Sequence, residues 1–192
     1  MALLTCIVKE LVGEAASLSE QEIEHLAADC ARSNAEHVSC PAMEPDTVQT
    51  SGLFALKVPS EWGTVYMSVN IISRNAEDLP VPAEQIAMIE TYRQLDQLDA
   101  QCPDFGKLYT VWIIAEPEKD AEGTCRRFVS ALQQPDGTLE SVPAEMDVYE
   151  VCILSLGRLD EDAQPSPLFR LLDTIFSGAI SEDERQRALD QQ

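Results

Sequence analysis

Residue types that ligate metals or move protons fall into two groups along this chain. Both histidines lie near two cysteines: His25, Cys30, His37 and Cys40. The His-x-x-Cys spacing at 37–40 suits a pair of zinc ligands. His25 and Cys30 are five positions apart in a helical pattern, which splays their directions, and Cys30 falls on an apolar stripe. These residues read as a solvent-facing histidine and a core cysteine rather than a zinc site. The second group is Pro103-Asp104 followed by Glu116-Pro-Glu-Lys119. Carboxylates beside a lysine are the set that holds a hard divalent cation against a phosphate. Pro117 interrupts that stretch, which reads as a loop at a strand end. The sequence holds no Gly-rich phosphate loop, nucleophile elbow or defensible Cys-His pair.

Charge narrows the partners. The chain of 192 residues carries 34 acidic and 13 basic residues, a net charge of −21. Binding to nucleic acid rests on Lys and Arg neutralising phosphates, and Arg126-Arg127 is the only adjacent basic pair. The surface is therefore solubilising, or it docks on a basic partner or mimics DNA. The six cysteines (Cys6, Cys30, Cys40, Cys102, Cys125, Cys152) form no Cys-x-x-Cys pair, and no disulfide framework is expected. No apolar run approaches the roughly 20 residues of a membrane span. The first ten residues lack the basic start of a signal peptide. The expectation is a cytoplasmic protein without a membrane contact.

The elements that must position any site centre on residues 52–74. Two strands joined by Ser-Glu-Trp-Gly form a hairpin. Its second strand alternates, with Val65, Met67, Val69 and Ile71 on one face and Tyr66, Ser68, Asn70 and Ile72 on the other. Before it come a helix over 3–12 and a second from Ser19, where Ser19 and Glu22 form a capping box. The stretch 33–48 reads as a loop. After the hairpin, Pro82 sets up a helix over 84–100 with Ile86, Ile89, Tyr92 and Leu95 on its apolar face. Residues 108–115 are nearly all apolar and β-prone, which suits a central strand covered on both sides. Strands over 124–132 and 148–156 follow, the first ended by the turn Gln134-Pro-Asp-Gly137 and the second by Gly157. Helices over 168–177 and from Ser181 close the chain. The order αα-ββ-α-βββ-αα predicts one domain over 1–192, of α/β or α+β class, with a mixed sheet flanked by helices.

This order, with several local phrases, resembles the PD-(D/E)XK nuclease-fold transposase family, relatives of the Rpn-like recombination-promoting nucleases. Leu108-Tyr-Thr-Val-Trp-Ile-Ile114 is similar to that family's central Tyr-x-x-Trp-Ile strand. Asp147 to Gly157 is similar to its late strand ending in Leu-Gly. Leu171-Leu-Asp-Thr-Ile-Phe-Ser177 is similar to its closing helices, and Ile7-Val-Lys with Glu14 to its opening ones. The resemblance implies a restriction-endonuclease-like order, a DNA substrate and Mg²⁺ held by acids on the two hairpin strands, the second acid followed two residues later by Lys or Gln.

The chain departs from that pattern at the metal site. The first-strand aspartate position falls at about Ser51, and the Glu-x-Gln of the second strand falls on Ile72-Ser73-Arg74. Glu14 matches a family acid on the first helix. Glu44 and Asp46 lie upstream of the hairpin and offer displaced ligands. The resemblance with these losses implies an inactive homologue of Mg²⁺-dependent endonucleases, with no cofactor and no confident catalytic residue. Two alternatives stand beside it: an active endonuclease that uses Mg²⁺ through Glu44 or Asp46, and an acidic DNA mimic or protein-interaction module with a basic partner.

Overall fold

A computed structural model describes residues 2–32, 48–56, 58, 63–72, 75–158 and 165–176. Helix α1 (Ala2–Leu11) leads through a 3₁₀ turn at Gly13–Ser17 into α2 (Glu20–Arg32). The capping box forms as expected. The Ser19 backbone N–H and hydroxyl both donate to Glu22 Oε2, at 2.8 and 2.6 Å, and the Glu22 N–H donates to Ser19 Oγ at 3.4 Å. These hydrogen bonds to the ionised form hold the Glu22 carboxyl below its usual range.

Strands β1 (Val48–Leu56) and β2 (Thr64–Ile72) form the antiparallel hairpin, with β1 starting four residues earlier than its apolar pattern suggests. Gly63 turns the chain into β2 at φ 121°. A Cβ there would stand 2.5 Å from the Asp104 carbonyl, so no other residue fits. Helix α3 (Ala83–Gln101) then crosses to β3 (Phe105–Ile114), which pairs parallel with β2. Next come β4 (Thr124–Val129), β5 (Ala131–Gln133), β6 (Leu139–Ser141) and β7 (Tyr149–Ser155), and the described chain closes with α4 (Pro167–Phe176).

One mixed sheet of five strands, in the order β1-β2-β3-β7-β4, organises all of this. The three later strands do join the hairpin, and β3 takes the middle, as suits its nearly all-apolar run. The expected strand over 124–132 divides instead. Its first part pairs with β7, and after Ser130 the chain leaves the sheet to form the exposed β5–β6 hairpin around the Gln134–Gly137 turn. The closing helix expected from Ser181 lies outside the described residues.

The alternation in β2 sorts the core into two clusters. Val65, Met67 and Val69 join Tyr109, Val111, Ile113, Cys152 and Leu154 under α1, α2 and α4. Ile72 joins Trp112, Ile114, Val151 and Ile153 under α3.

Helix α3 differs from its expected stripe. Ile86 is buried, but Ile89 and Tyr92 are 46% and 50% exposed, while Glu90, Thr91 and Gln94 face inward. The reason is in the sheet, where β2 and β3 offer Ser68, Asn70 and Thr110 beneath the helix, all fully buried. Ser68 Oγ donates to Gln94 Oε1 at 2.7 Å, Asn70 Nδ2 donates to Ser68 Oγ at 3.1 Å, and the Thr91 and Thr110 hydroxyls meet at 2.9 Å. Buried polar groups demand partners, so the polar face of the helix follows the polar patch of the sheet.

Candidate functional site

Among the described residues, the positions singled out by sequence do not converge. Ile72 ends β2 with its side chain fully buried against Trp112, Ile114 and α3. Ser51 lies in β1 where the pairing with β2 shifts register, between Thr50 and Leu53. Arg74, Glu44 and Asp46 lie outside the described residues. Glu14 sits in the 3₁₀ turn after α1 and accepts a hydrogen bond from Tyr109 Oη at 2.6 Å. Tyr109 pairs with Met67, five residues before Ile72, which is roughly 16 Å along the strand. Tyr109 also faces the α1 side of the sheet, whereas Ile72 faces α3. Glu14 and Ile72 therefore occupy opposite faces of the sheet, well apart along the strands.

The same separation dissolves the other acidic set. Asp104 precedes β3 and Glu116 follows it, so ten residues of strand hold them apart. His25 is exposed on α2, Cys30 lies further along the same helix, and His37 and Cys40 lie outside the described residues. No three His, Cys, Asp or Glu side chains gather as a metal-binding group among the described residues.

Besides the buried patch under α3, two places on the sheet assemble polar groups. The first is a cavity of about 280 Å³ beyond the C-terminal ends of β3 and β7, beside the start of α3. Ligand crevices of α/β sheets open at such strand ends. Its walls include Ile114, Ser155, Glu118 and Asp120, and Arg126 bridges it by donating to Glu84 at 2.7 Å.

The second lies under the corner where α1 turns into its 3₁₀ segment. Tyr109 Oη donates to Glu14 and accepts from the Gly13 N–H at 3.2 Å. Burial, then the hydrogen bond to Glu14, push the Tyr109 phenol far above its ordinary pKa, so it stays a donor. Lys107 lies over the Tyr109 ring, ion-paired with Asp147 and 4.0 Å from Glu14. Beside Tyr109 in the sheet stands Glu150 of β7, ion-paired with Arg127 of β4. This pair is a close ionic contact rather than an aligned hydrogen bond, since Glu150 Oε1 accepts none. Arg127 also donates to the Leu11 carbonyl at 2.9 Å, tying the sheet edge to the end of α1. Next to Arg127 lie Cys125 and Cys152, their sulfurs 3.6 Å apart.

No family model, curated protein or solved structure matches this chain.

Of the α1-side cluster, sequence reasoning found only Glu14. A signal was present: Glu150 is a lone carboxylate within an otherwise apolar strand, and Lys107 opens another. A buried charge in such a run requires a partner. The partners lie far off in sequence, 95 residues between Glu14 and Tyr109, so spacing did not reveal them.

Replacing Tyr109 with Phe tests how firmly this corner is held. The change removes the donor to Glu14 and the acceptor for Gly13 with little loss of volume. It is expected to cost about 1–2 kcal/mol, read as a lower urea midpoint at an unchanged m-value.

Proposed function

We propose that this chain is a nuclease-fold protein of the PD-(D/E)XK transposase type, with a restriction-endonuclease-like order, that works by binding and does not cut DNA. One observation carries the reading. At the position where the family holds its second-strand acid, Ile72 is sealed in an apolar cluster, and the matching helix acid, Glu14, is engaged by Tyr109 on the other face. A divalent cation needs several oxygens converging on one point, and an isoleucine packed against tryptophan supplies none.

The partner in this reading is a basic protein surface. Lys9, Arg93, Lys107, Arg126 and Arg127 each already meet a carboxylate within the chain. A phosphate backbone would have to compete for them, against a net charge of −21. No helix among the described residues is long and apolar enough to cross a membrane.

Incubation of supercoiled plasmid with the purified protein and Mg²⁺ or Mn²⁺ tests the reading. The expected result is no nicking beyond that of a metal-free control. Metal-dependent nicking that disappears in Glu44→Ala or Asp46→Ala would replace this proposal with the displaced-ligand endonuclease.

A further inference from the structure

Cys125 lies on β4, which among the described residues is an edge strand hydrogen-bonded in the sheet to β7 alone. Its backbone pairs with Leu154, and that of Cys152 pairs with Arg127. The two cysteines are therefore diagonal neighbours on one face of the sheet, within side-chain reach. Their sulfurs stand 3.6 Å apart. Cys125 is exposed, while Cys152 is 3% exposed and packed in the core. One thiol meets solvent and the other waits behind it.

We propose that Cys125 and Cys152 form a dithiol site that low-molecular-weight disulfides of the glutathione class oxidise to an intramolecular disulfide. In the first step the Cys125 thiolate attacks one sulfur of the disulfide. A Cys125–glutathione bond forms and one glutathione thiolate leaves. In the second step Cys152 gives its proton to solvent and attacks Cys125 Sγ, expelling the second glutathione thiolate. Two protein thiols lose two electrons, and one disulfide becomes two thiols. The sulfurs close from 3.6 Å to the roughly 2 Å of a bond. The edge strand accommodates that movement because it is bonded on one side only.

The surroundings divide the two roles. The hydrogen bond from Cys152 lowers the Cys125 pKa to about 7; burial opposes this and the Arg127 guanidinium assists it. Glu10 and Glu150 act against the thiolate. The Cys152 thiol is held up by its hydrogen bond to Cys125 and by burial, so it attacks second. An exposed thiolate beside a guanidinium is the attacking kind of cysteine.

The test is mass spectrometry of the intact chain and its peptides after treatment with oxidised glutathione at neutral pH. The wild type is expected to yield a Cys125–Cys152 cross-linked peptide and no retained glutathione on either residue. Cys152→Ser and Cys152→Ala are each expected to trap glutathione on Cys125, and Cys125→Ser to leave Cys152 reduced. Brief alkylation is expected to label Cys125 roughly fivefold faster than Cys102. Circular dichroism confirms that each variant is folded before it is scored. A stable glutathione adduct on wild-type Cys125, or a Cys125 no more reactive than Cys102, overturns the proposal.

Discussion

Ile72→Glu is expected to destabilise the protein severely, not to restore a metal site. The substitution returns a carboxylate to the position where the nuclease family carries one. Here that position is fully buried among Ala76, Ala83, Ile86, Trp112 and Ile114. An unpaired carboxylate in such surroundings costs roughly 4 kcal/mol, and a domain of this kind has only about 5–15 kcal/mol to lose. Ile72→Val, which removes one methylene from the same place, is expected to cost about 1 kcal/mol. Urea denaturation of the two variants separates a charge effect from a packing effect. A folded Ile72→Glu protein of near-normal midpoint that nicks plasmid with Mg²⁺ would show that the site lacks only its acid, and the claim that Ile72 is sealed away from any metal-binding geometry would fall.

Trp112→Ala is expected to be comparably damaging for a different reason. Trp112 is the largest fully buried side chain among the described residues, held between α3 and the sheet. Its removal leaves a cavity that the rigid layers on either side cannot close, at a cost of roughly 3–5 kcal/mol. Thermal denaturation should show a much lower midpoint, with the buried polar hydrogen bonds of Ser68, Gln94, Thr91 and Thr110 loosened alongside. Trp112→Phe keeps a ring in that space, and it removes an indole N–H that meets no acceptor among the described residues. It is expected to cost only a fraction of the alanine change. Equal losses in the two variants would mean that the full bicyclic indole, rather than an aromatic ring as such, is needed to fill the layer.

The legible parts of the fold were those written locally. The alternation from Val65 to Ile72 assigns each side chain to the face that it occupies. The Ser19–Glu22 pair marks the start of α2 because both partners lie within one helical turn. The nearly all-apolar run of β3 suits a strand covered on both faces, which is the place it takes in the middle of the sheet. The inward face of α3 was not legible. Period alone offers Ile89 and Tyr92 as core, and only the polar patch of β2 and β3 explains why Glu90, Thr91 and Gln94 turn inward. The candidate site was legible only at Glu14. Its neighbours come from strands far apart in the chain, and no local rule connects them.

By itself, then, the sequence determined the order of elements as far as β4, the acidic character, the sidedness of the hairpin and the absence of an acid at Ile72. Each of these depends on residues within a few positions of one another. The tertiary structure alone decided that Glu14 meets Tyr109, that Arg127 meets Glu150, and that Cys125 stands 3.6 Å from Cys152. Those meetings depend on strand order and register. Both are set by how two apolar faces and one polar patch are buried together, which is a property of the whole sheet and not of any segment of it.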